Sequence, residues 1–290
     1  MQLSAAKGTT EAKRKAKRAG QKTEKASANS GLQAAERFGY VVRGLLYGAM
    51  GVLALGAAVH IGGAFEDQAS SVWLLARAPF GRLVVASFVV GIGAYGLWGF
   101  VRAGFDPLNR GEGAPGIANR LGWAWSGLSY TMLAIFALRV ATGRLDKPPG
   151  DSVTAIAARV FALPGGRAVT LALGVVAVTA GAAQFVDAYL ARWRRDLKRR
   201  EMTTGERAAA LWLGRFGLAA RGVTFTVVGW LLVIASLNAD PGLAKGYAGA
   251  FRFVQTGPAG GVLLALVALG FVALGLHSFA CARWIKLAGR

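Results

Sequence analysis

The chain has 290 residues, of which 54% are hydrophobic, and its mean hydropathy is +0.43. It carries 34 Lys and Arg against 14 Asp and Glu, which gives a formal net charge of +20. A soluble domain with so much apolar surface and so few acids would be unusual, so the composition argues against a soluble enzyme. The single cysteine, Cys281, excludes an internal disulfide.

The N-terminal tail, residues 1–33, is basic and dominated by Ala, Gly, Ser and Lys. This composition is typical of a disordered chain, and we expect the tail to attract anionic lipid headgroups at a membrane surface. Binding to nucleic acid through phosphate contacts is the alternative. We do not expect nucleic acid as a partner, because the tail is poor in aromatic residues and is tethered to a membrane.

Six apolar runs follow the tail, and each is long enough for a helix that spans a bilayer. They cover residues 40–60, 82–102, 121–141, 168–190, 211–237 and 260–282. Because lipid cannot satisfy backbone hydrogen bonds, runs of this length are predicted to be helices and not strands. The predicted fold class is an all-α integral membrane protein with six transmembrane helices.

The second run contains a literal G-x-G-x-x-G, formed by Gly91, Gly93 and Gly96. A dinucleotide-binding turn needs a strand before it and a second strand that ends in an acid after it. These glycines lie inside an unbroken apolar run, where small residues let neighbouring helices approach closely. We therefore predict helix packing at the three glycines, and neither a nucleotide nor any other cofactor.

The distribution of basic residues predicts the orientation. If six helices alternate in direction, most of the 34 Lys and Arg fall on the side that holds the tail and a basic loop, residues 192–210. By the positive-inside rule, both termini are predicted to be cytoplasmic.

Three stretches of the chain share the pattern R-[FL]-G-x3-[RS]-G-x2-[YF], which we call the repeat pattern. They are residues 37–47, 120–130 and 215–225. Each is followed by a P-x-G, with the proline predicted in the first turn of the next span, at residues 79–81, 164–166 and 258–260. Amphipathic segments before these turns are predicted to be short helices on the outer surface, at residues 70–81, 152–166 and 247–261. The predicted units are three parallel two-helix repeats, at residues 34–103, 118–191 and 211–286.

The repeat pattern and the P-x-G before a Gly-rich second helix resemble the DUF1206 membrane domain, a bacterial family with three tandem two-helix units. The resemblance covers residues 34 to about 285. It implies a multi-pass protein of the bacterial plasma (inner) membrane. It implies no activity and no catalytic residue, because the family is defined by sequence. The middle copy has Ser126 in place of the second arginine, so the role of that arginine is not needed three times.

The arginines of the repeat pattern are candidate contacts for an anion or a lipid headgroup. They are Arg37, Arg43, Arg120, Arg215 and Arg221. Arg43 and Arg221 lie six residues deeper than the first arginine of their copies, roughly 9 Å by helical rise. Such an arginine either extends back to the membrane surface or points into the bundle and pairs with an acid or with carbonyl groups. Asp187 in the fourth span is the candidate partner for an intramembrane ion pair.

Further glycines near the start of the odd-numbered spans are predicted to pack helices together. They are Gly44, Gly48, Gly127 and Gly222. The two histidines, His60 and His277, are predicted near opposite ends of the bundle, so they cannot share one metal ion, and no metal site is predicted.

We expect a non-enzymatic scaffold with a structural or interaction role, because packing glycines are frequent and polar residues inside the spans are few. The alternative is a transporter or channel for a small solute or ion, built on three parallel repeats. Expected partners are the lipid bilayer and its anionic headgroups, together with another membrane protein or a second copy of the chain.

Overall fold

The computed structural model describes residues 30–59, 68–77, 79–105, 113–144 and 152–285. Within these ranges the regular structure is helical, with one isolated β-bridge between Leu197 and Ile285. Most of the basic tail and His60 lie outside the described residues, so their predictions stay predictions.

Six long helices account for the predicted spans. They are α1 (Ser30–Ala58), α3 (Gly81–Phe105), α4 (Ala114–Ala141), α6 (Gly166–Leu190), α7 (Thr204–Leu237) and α9 (Gly260–Trp284). Three short helices lie between them, α2 (Gln68–Ala76), α5 (Ser152–Phe161) and α8 (Tyr247–Thr256). Each long helix is long and apolar enough to cross a membrane, which confirms the all-α class and the six spans. The orientation of the termini stays a prediction.

Three long helices, α1, α4 and α7, begin well before the apolar runs that predicted them. Helix α7 begins at Thr204 because Thr203 and Glu206 form a capping box. The Thr203 hydroxyl accepts a hydrogen bond from the backbone N–H of Glu206 at 3.2 Å, and the Thr203 N–H donates to the Glu206 carboxylate at 2.8 Å. An apolar run marks where a helix enters the membrane, whereas capping residues mark where the helix starts.

Each P-x-G forms the turn between a short helix and the next long helix. The middle residue is left-handed in all three turns, with φ of 59° at Phe80, 73° at Gly165 and 54° at Ala259. The glycine is the first helical residue, so the proline precedes the helix, and its predicted place in the first turn is wrong. A side chain on that glycine would overlap a carbonyl oxygen of the short helix. These oxygens belong to Leu75, Val160 and Gln255.

The long helices are packed together through the glycines of the repeat pattern. Gly44, Gly127 and Gly222 occupy equivalent positions on α1, α4 and α7. A Cβ built on each would lie 3.0, 2.9 and 3.1 Å from a glycine carbonyl oxygen on a neighbouring helix, at Gly275, Gly96 and Gly181 respectively. Only glycine allows backbones to approach this closely. We call these three contacts, α9–α1, α3–α4 and α6–α7, the glycine seams.

Each glycine seam joins the second long helix of one repeat to the first long helix of the next repeat. The α9–α1 seam joins the last repeat to the first. Helix α1 also packs on α3, and α7 packs on α9. By contrast, α4 and α6 of the middle repeat do not pack along their length in the described ranges. The helices therefore follow the order α4, α3, α1, α9, α7, α6, and the ring is open at the middle repeat.

The G-x-G-x-x-G lies entirely inside α3. A Cβ on Gly91 would overlap the ring of Phe38, and one on Gly96 would lie 3.1 Å from the carbonyl oxygen of Gly127. Gly93 has more room, because a Cβ there would lie 3.9 Å from Ala134. Two of the three glycines therefore admit a close neighbour.

Gly48 contributes to the α9–α1 seam through its backbone. Its own Cβ position has no neighbour within 4 Å, but a Cβ built on Gly275 would lie 2.9 Å from the Gly48 nitrogen. A side chain at Gly48 is therefore tolerated more easily than one at Gly44.

We expect Gly127→Ala to lower the free energy of unfolding by about 1–3 kcal/mol, because the added methyl group would meet backbone atoms of α3 that cannot move aside. Gly122→Ala on the same helix is the matched control, since its Cβ position has no neighbour within 4 Å. The control should be neutral or stabilising, because Ala favours a helix over Gly. Thermal unfolding in detergent measures both. Equal midpoints for the two variants would contradict the role of the seam.

Candidate anion site in the helix bundle

The two deep arginines of the repeat pattern lie close to one aromatic ring. The guanidinium carbon Cζ of Arg43 on α1 is 5.4 Å from the ring centre of Tyr47, and that of Arg221 on α7 is 5.9 Å from the same centre. The two guanidinium carbons are therefore no more than about 11 Å apart. Both residues are partly buried. They point into the bundle, which decides between the two orientations that the sequence left open.

Tyrosines surround Arg43. Its Nη1 donates a hydrogen bond of 3.0 Å to the hydroxyl of Tyr95 on α3. The Tyr95 ring packs edge-on against Tyr40 and Tyr130, with ring centres 5.3 and 4.7 Å apart. Helices α1, α3 and α4 thus each contribute a tyrosine to the surroundings of one cation.

Aromatic rings also surround Arg221. Its Cζ lies 4.9 Å from the ring centre of Phe225, one turn further along α7. Tyr247, at the start of the short helix α8, lies in electrostatic contact with Arg221. The Tyr247 ring is held by Phe271 on α9, with ring centres 5.9 Å apart. The short helix α8 therefore reaches from the surface of the bundle to the second arginine.

No carboxylate described by the structure is ion-paired with Arg43 or Arg221. Asp187, the predicted partner, lies with its carboxylate 3.9 Å from Nε of Arg192, beyond the end of α6. Glu201 pairs with Lys198 at 3.2 Å in the loop that follows. The structure thus brings Asp187 to the surface, and the two deep arginines are surrounded by aromatic rings and hydroxyl groups.

Three hydrogen-bond donors of this cluster have no acceptor among the described residues. They are Nε of Arg43, Nε of Arg221 and the hydroxyl of Tyr130. All three atoms are buried, and a buried polar group without a partner costs about 1–3 kcal/mol, or more if it is charged. An acceptor with negative charge would satisfy these donors and offset the charge of the two arginines. We call these three residues, with Tyr47 and Tyr95, the arginine–tyrosine cluster.

The first arginine of the repeat pattern has a different role from the second. Arg120 donates from Nε to the carbonyl of Ala103 at 2.7 Å and from Nη2 to that of Gly104 at 2.8 Å. Arg215 donates to the carbonyl of Tyr189 at 3.1 Å. These carbonyls belong to the last turns of α3 and α6, so the arginines cap helix ends. This role is not predictable from the sequence, because the acceptors are backbone atoms and leave no pattern in the sequence.

Arg37 is the equivalent residue in the first copy. It is exposed and makes no hydrogen bond to the described part of the chain. Of the five predicted arginines, the structure therefore brings together only Arg43 and Arg221.

Trp193 and His277 close the bundle at the end where α9 finishes. The indole of Trp193, from the loop after α6, packs edge-on against the buried imidazole of His277, with ring centres 4.3 Å apart. Sγ of Cys281 lies 3.5 Å from Nε2 of the same imidazole. In the described ranges no group of three or more His, Cys, Asp or Glu is placed to hold a metal ion.

Comparisons with known proteins agree with the repeats. The family model described as Domain of Unknown Function (DUF1206) matches three tandem segments, residues 38–106, 121–191 and 216–284. The chain is 28% identical over 242 residues to "Uncharacterized protein YxxB" of Bacillus subtilis (strain 168), an alignment that covers 83% of this chain and 87% of that relative. No solved structure matches the chain. The resemblance noted in the sequence is confirmed.

We expect Arg43→Met to raise the free energy of unfolding of the ligand-free protein by about 1–4 kcal/mol, because it removes a poorly compensated charge beside a second cation. Arg120→Met is the control and should lower the same quantity by about 1–3 kcal/mol, because two helix-capping hydrogen bonds are lost. Unfolding of both variants in one low-salt detergent buffer tests this. A loss of stability on Arg43→Met as large as that of the control would show that Arg43 serves packing alone.

Proposed function

We propose that this chain, which belongs to the DUF1206 family and forms a multi-pass membrane protein, binds an oxyanion inside its helix bundle, between Arg43 and Arg221. The proposed role is binding and not catalysis. We place the protein in the bacterial plasma membrane with both termini in the cytoplasm, as the excess of Lys and Arg on one side predicts.

One observation carries the proposal: two deep cations and a tyrosine hydroxyl have donors without acceptors, and no described carboxylate is paired with either cation. Charges inside a membrane protein are costly unless they are paired or reach water. Water could accept the hydrogen bonds, but only an anion also compensates the charge. A bound anion thus accounts for both the unsatisfied donors and the uncompensated charge.

The residue types favour a carboxylate or a phosphate group. The guanidinium group presents planar, paired donors that match the oxygen atoms of both groups. The hydroxyl group of Tyr130 supplies a further hydrogen-bond donor in the cluster. The aromatic rings of Tyr47 and Phe225 beside the guanidinium groups limit the access of water, which strengthens the attraction between the arginines and an anion.

We expect selective stabilisation of the purified protein by one class of oxyanion. The probes are inorganic phosphate, sulfate, benzoate and octanoate, each compared with chloride at equal ionic strength. A ligand at 100 times its dissociation constant stabilises by about 2.7 kcal/mol, which a thermal-shift assay detects. The response should be lost in Arg43→Gln and Arg221→Gln. Arg221→Lys, which keeps the charge but not the paired donors, should weaken it.

Arg139→Gln is the matched control, because Arg139 is an exposed residue of α4 outside the cluster. It lowers the net charge by the same amount and should leave the response unchanged. An equal loss in the control, or no preference over chloride in the wild type, would contradict the proposed site.

The second candidate is the scaffold that the composition favours, and the glycine seams support it because they pack the long helices closely together. The transporter alternative draws support from the opening of the ring at the middle repeat.

Flux of the responding anion into proteoliposomes separates these candidates. A transporter would show uptake by the wild type and loss of uptake in the Arg43→Ala and Arg221→Ala double variant. Selective binding without uptake would leave an anion-binding protein that does not transport.

A further inference from the structure

A second group of cations lies in the loop between α6 and α7. This loop surrounds an open depression of about 1070 Å³. Its lining includes seven basic side chains and one acid, Glu201. The basic residues are Arg192, Arg194, Arg195, Lys198, Arg199, Arg200 and Arg207. We call this feature the basic depression, and it shares no residue with the arginine–tyrosine cluster.

Part of this positive charge is not compensated by the described residues. Lys198 pairs with Glu201, and Arg192 lies beside Asp187. The side chains of four arginines make no ion pair or hydrogen bond with any described residue. They are Arg194, Arg199, Arg200 and Arg207. Four uncompensated guanidinium groups around one depression attract a ligand with more than one negative charge.

The loop is folded, so the backbone positions that carry its arginines are fixed. The backbone N–H of Lys198 donates a hydrogen bond of 2.7 Å to the carbonyl of Trp284 at the end of α9. Leu197 and Met202 are buried in a small core with Tyr40 of α1. The indole of Trp193 is anchored against His277. A site whose cations are carried by an ordered backbone binds its ligand with less loss of entropy than a disordered basic segment does.

The position and size of the depression indicate the chemistry of the ligand. Leu190, at the end of α6, and Arg207, in the first turns of α7, line it, so we expect it near the level of the lipid headgroups. Its volume is close to the upper end of ordinary small-molecule sites, about 300–1,000 Å³. Arginine clusters bind phosphate groups through paired, charge-assisted hydrogen bonds.

We propose that the basic depression is a binding site for a phosphate group with more than one negative charge, carried by a lipid headgroup or by a soluble phosphate compound. This proposal does not rest on the oxyanion site between Arg43 and Arg221.

The test uses the full chain and two probes. Binding of inorganic pyrophosphate is measured by calorimetry in nanodiscs of zwitterionic lipid, and binding of phosphatidate is measured by the retention of labelled lipid through purification. The test variant is Arg199→Gln, Arg200→Gln and Arg207→Gln combined. The control combines Arg139→Gln, Arg144→Gln and Arg159→Gln. These three arginines are exposed and lie outside the depression, and their replacement removes the same amount of charge.

We expect the wild type and the control to bind at least one probe with affinities within about twofold of each other. The test variant should bind it at least about tenfold more weakly, because charge-assisted hydrogen bonds are lost as well as net charge. Binding of pyrophosphate alone identifies a soluble phosphate compound, and binding of phosphatidate alone identifies a lipid headgroup.

Equal weakening in the test and control variants, or no binding of either probe by the wild type, would overturn the proposal. Each variant is first checked for an unchanged elution volume and melting temperature. If the triple variant does not fold, the single changes Arg199→Gln and Arg200→Gln replace it. Their side chains are exposed and make no contact that holds the loop.

Discussion

The close approach of backbones at the glycine seams is the constraint on which the bundle depends. In a bilayer, helices gain little from hiding apolar surface, because lipid is as apolar as a leucine side chain. Association therefore needs van der Waals contact along the helices, and Gly44, Gly127 and Gly222 each provide it against a glycine of another helix. The most extensive helix–helix contacts lie between repeats and not within them. A two-helix repeat is thus a unit of sequence, while the seam is the unit of packing.

The two arginines of the repeat pattern show how one residue type serves two purposes. The first arginine completes the hydrogen bonds of a neighbouring helix end in two copies of the pattern. The second arginine lies deeper, where its copies on α1 and α7 share the ring of Tyr47 and pair with no carboxylate among the described residues. A contribution to the stability of the fold explains the position of the first arginine. It does not explain why the second arginine is placed deep in the bundle. Arg43 and Arg221 are therefore the arginines of the repeat pattern whose placement points to a function.

Much of the architecture could be predicted from sequence, because lipid imposes strong local rules. The six spans are marked by the length of their apolar runs, and the three short helices are marked by amphipathic spacing. The repeats are marked by a recurring sequence motif. Helix starts such as Thr204 were not predictable from the apolar run, because capping depends on polar residues outside the membrane. The predicted position of the proline in the P-x-G turn is wrong, because the helix begins only at the glycine. The left-handed backbone of the middle residue, such as Ala259, cannot be predicted from a motif in which that residue varies.

The candidate site was predictable in its residues but not in its contacts. Arg43 and Arg221 stood out because charge is rare in these spans, yet their common neighbour Tyr47 depends on how α1 and α7 lie around α9. Asp187 is predicted as the partner of Arg43 or Arg221 only because the three residues lie at a similar depth along their helices. It lies beside Arg192 instead, because depth along one helix does not determine which neighbour a side chain faces.

The α9–α1 seam makes the succession of repeats cyclic, although the chain itself is linear. Each first helix meets the second helix of the repeat before it, and the last repeat serves as the predecessor of the first. A circular permutation of the sequence would therefore preserve the packing of the helices. A chain that began at Gly113 and ran through a linker from Ile285 to Ser30 would retain all three seams, whereas removal of any one repeat would leave two helices without their partners.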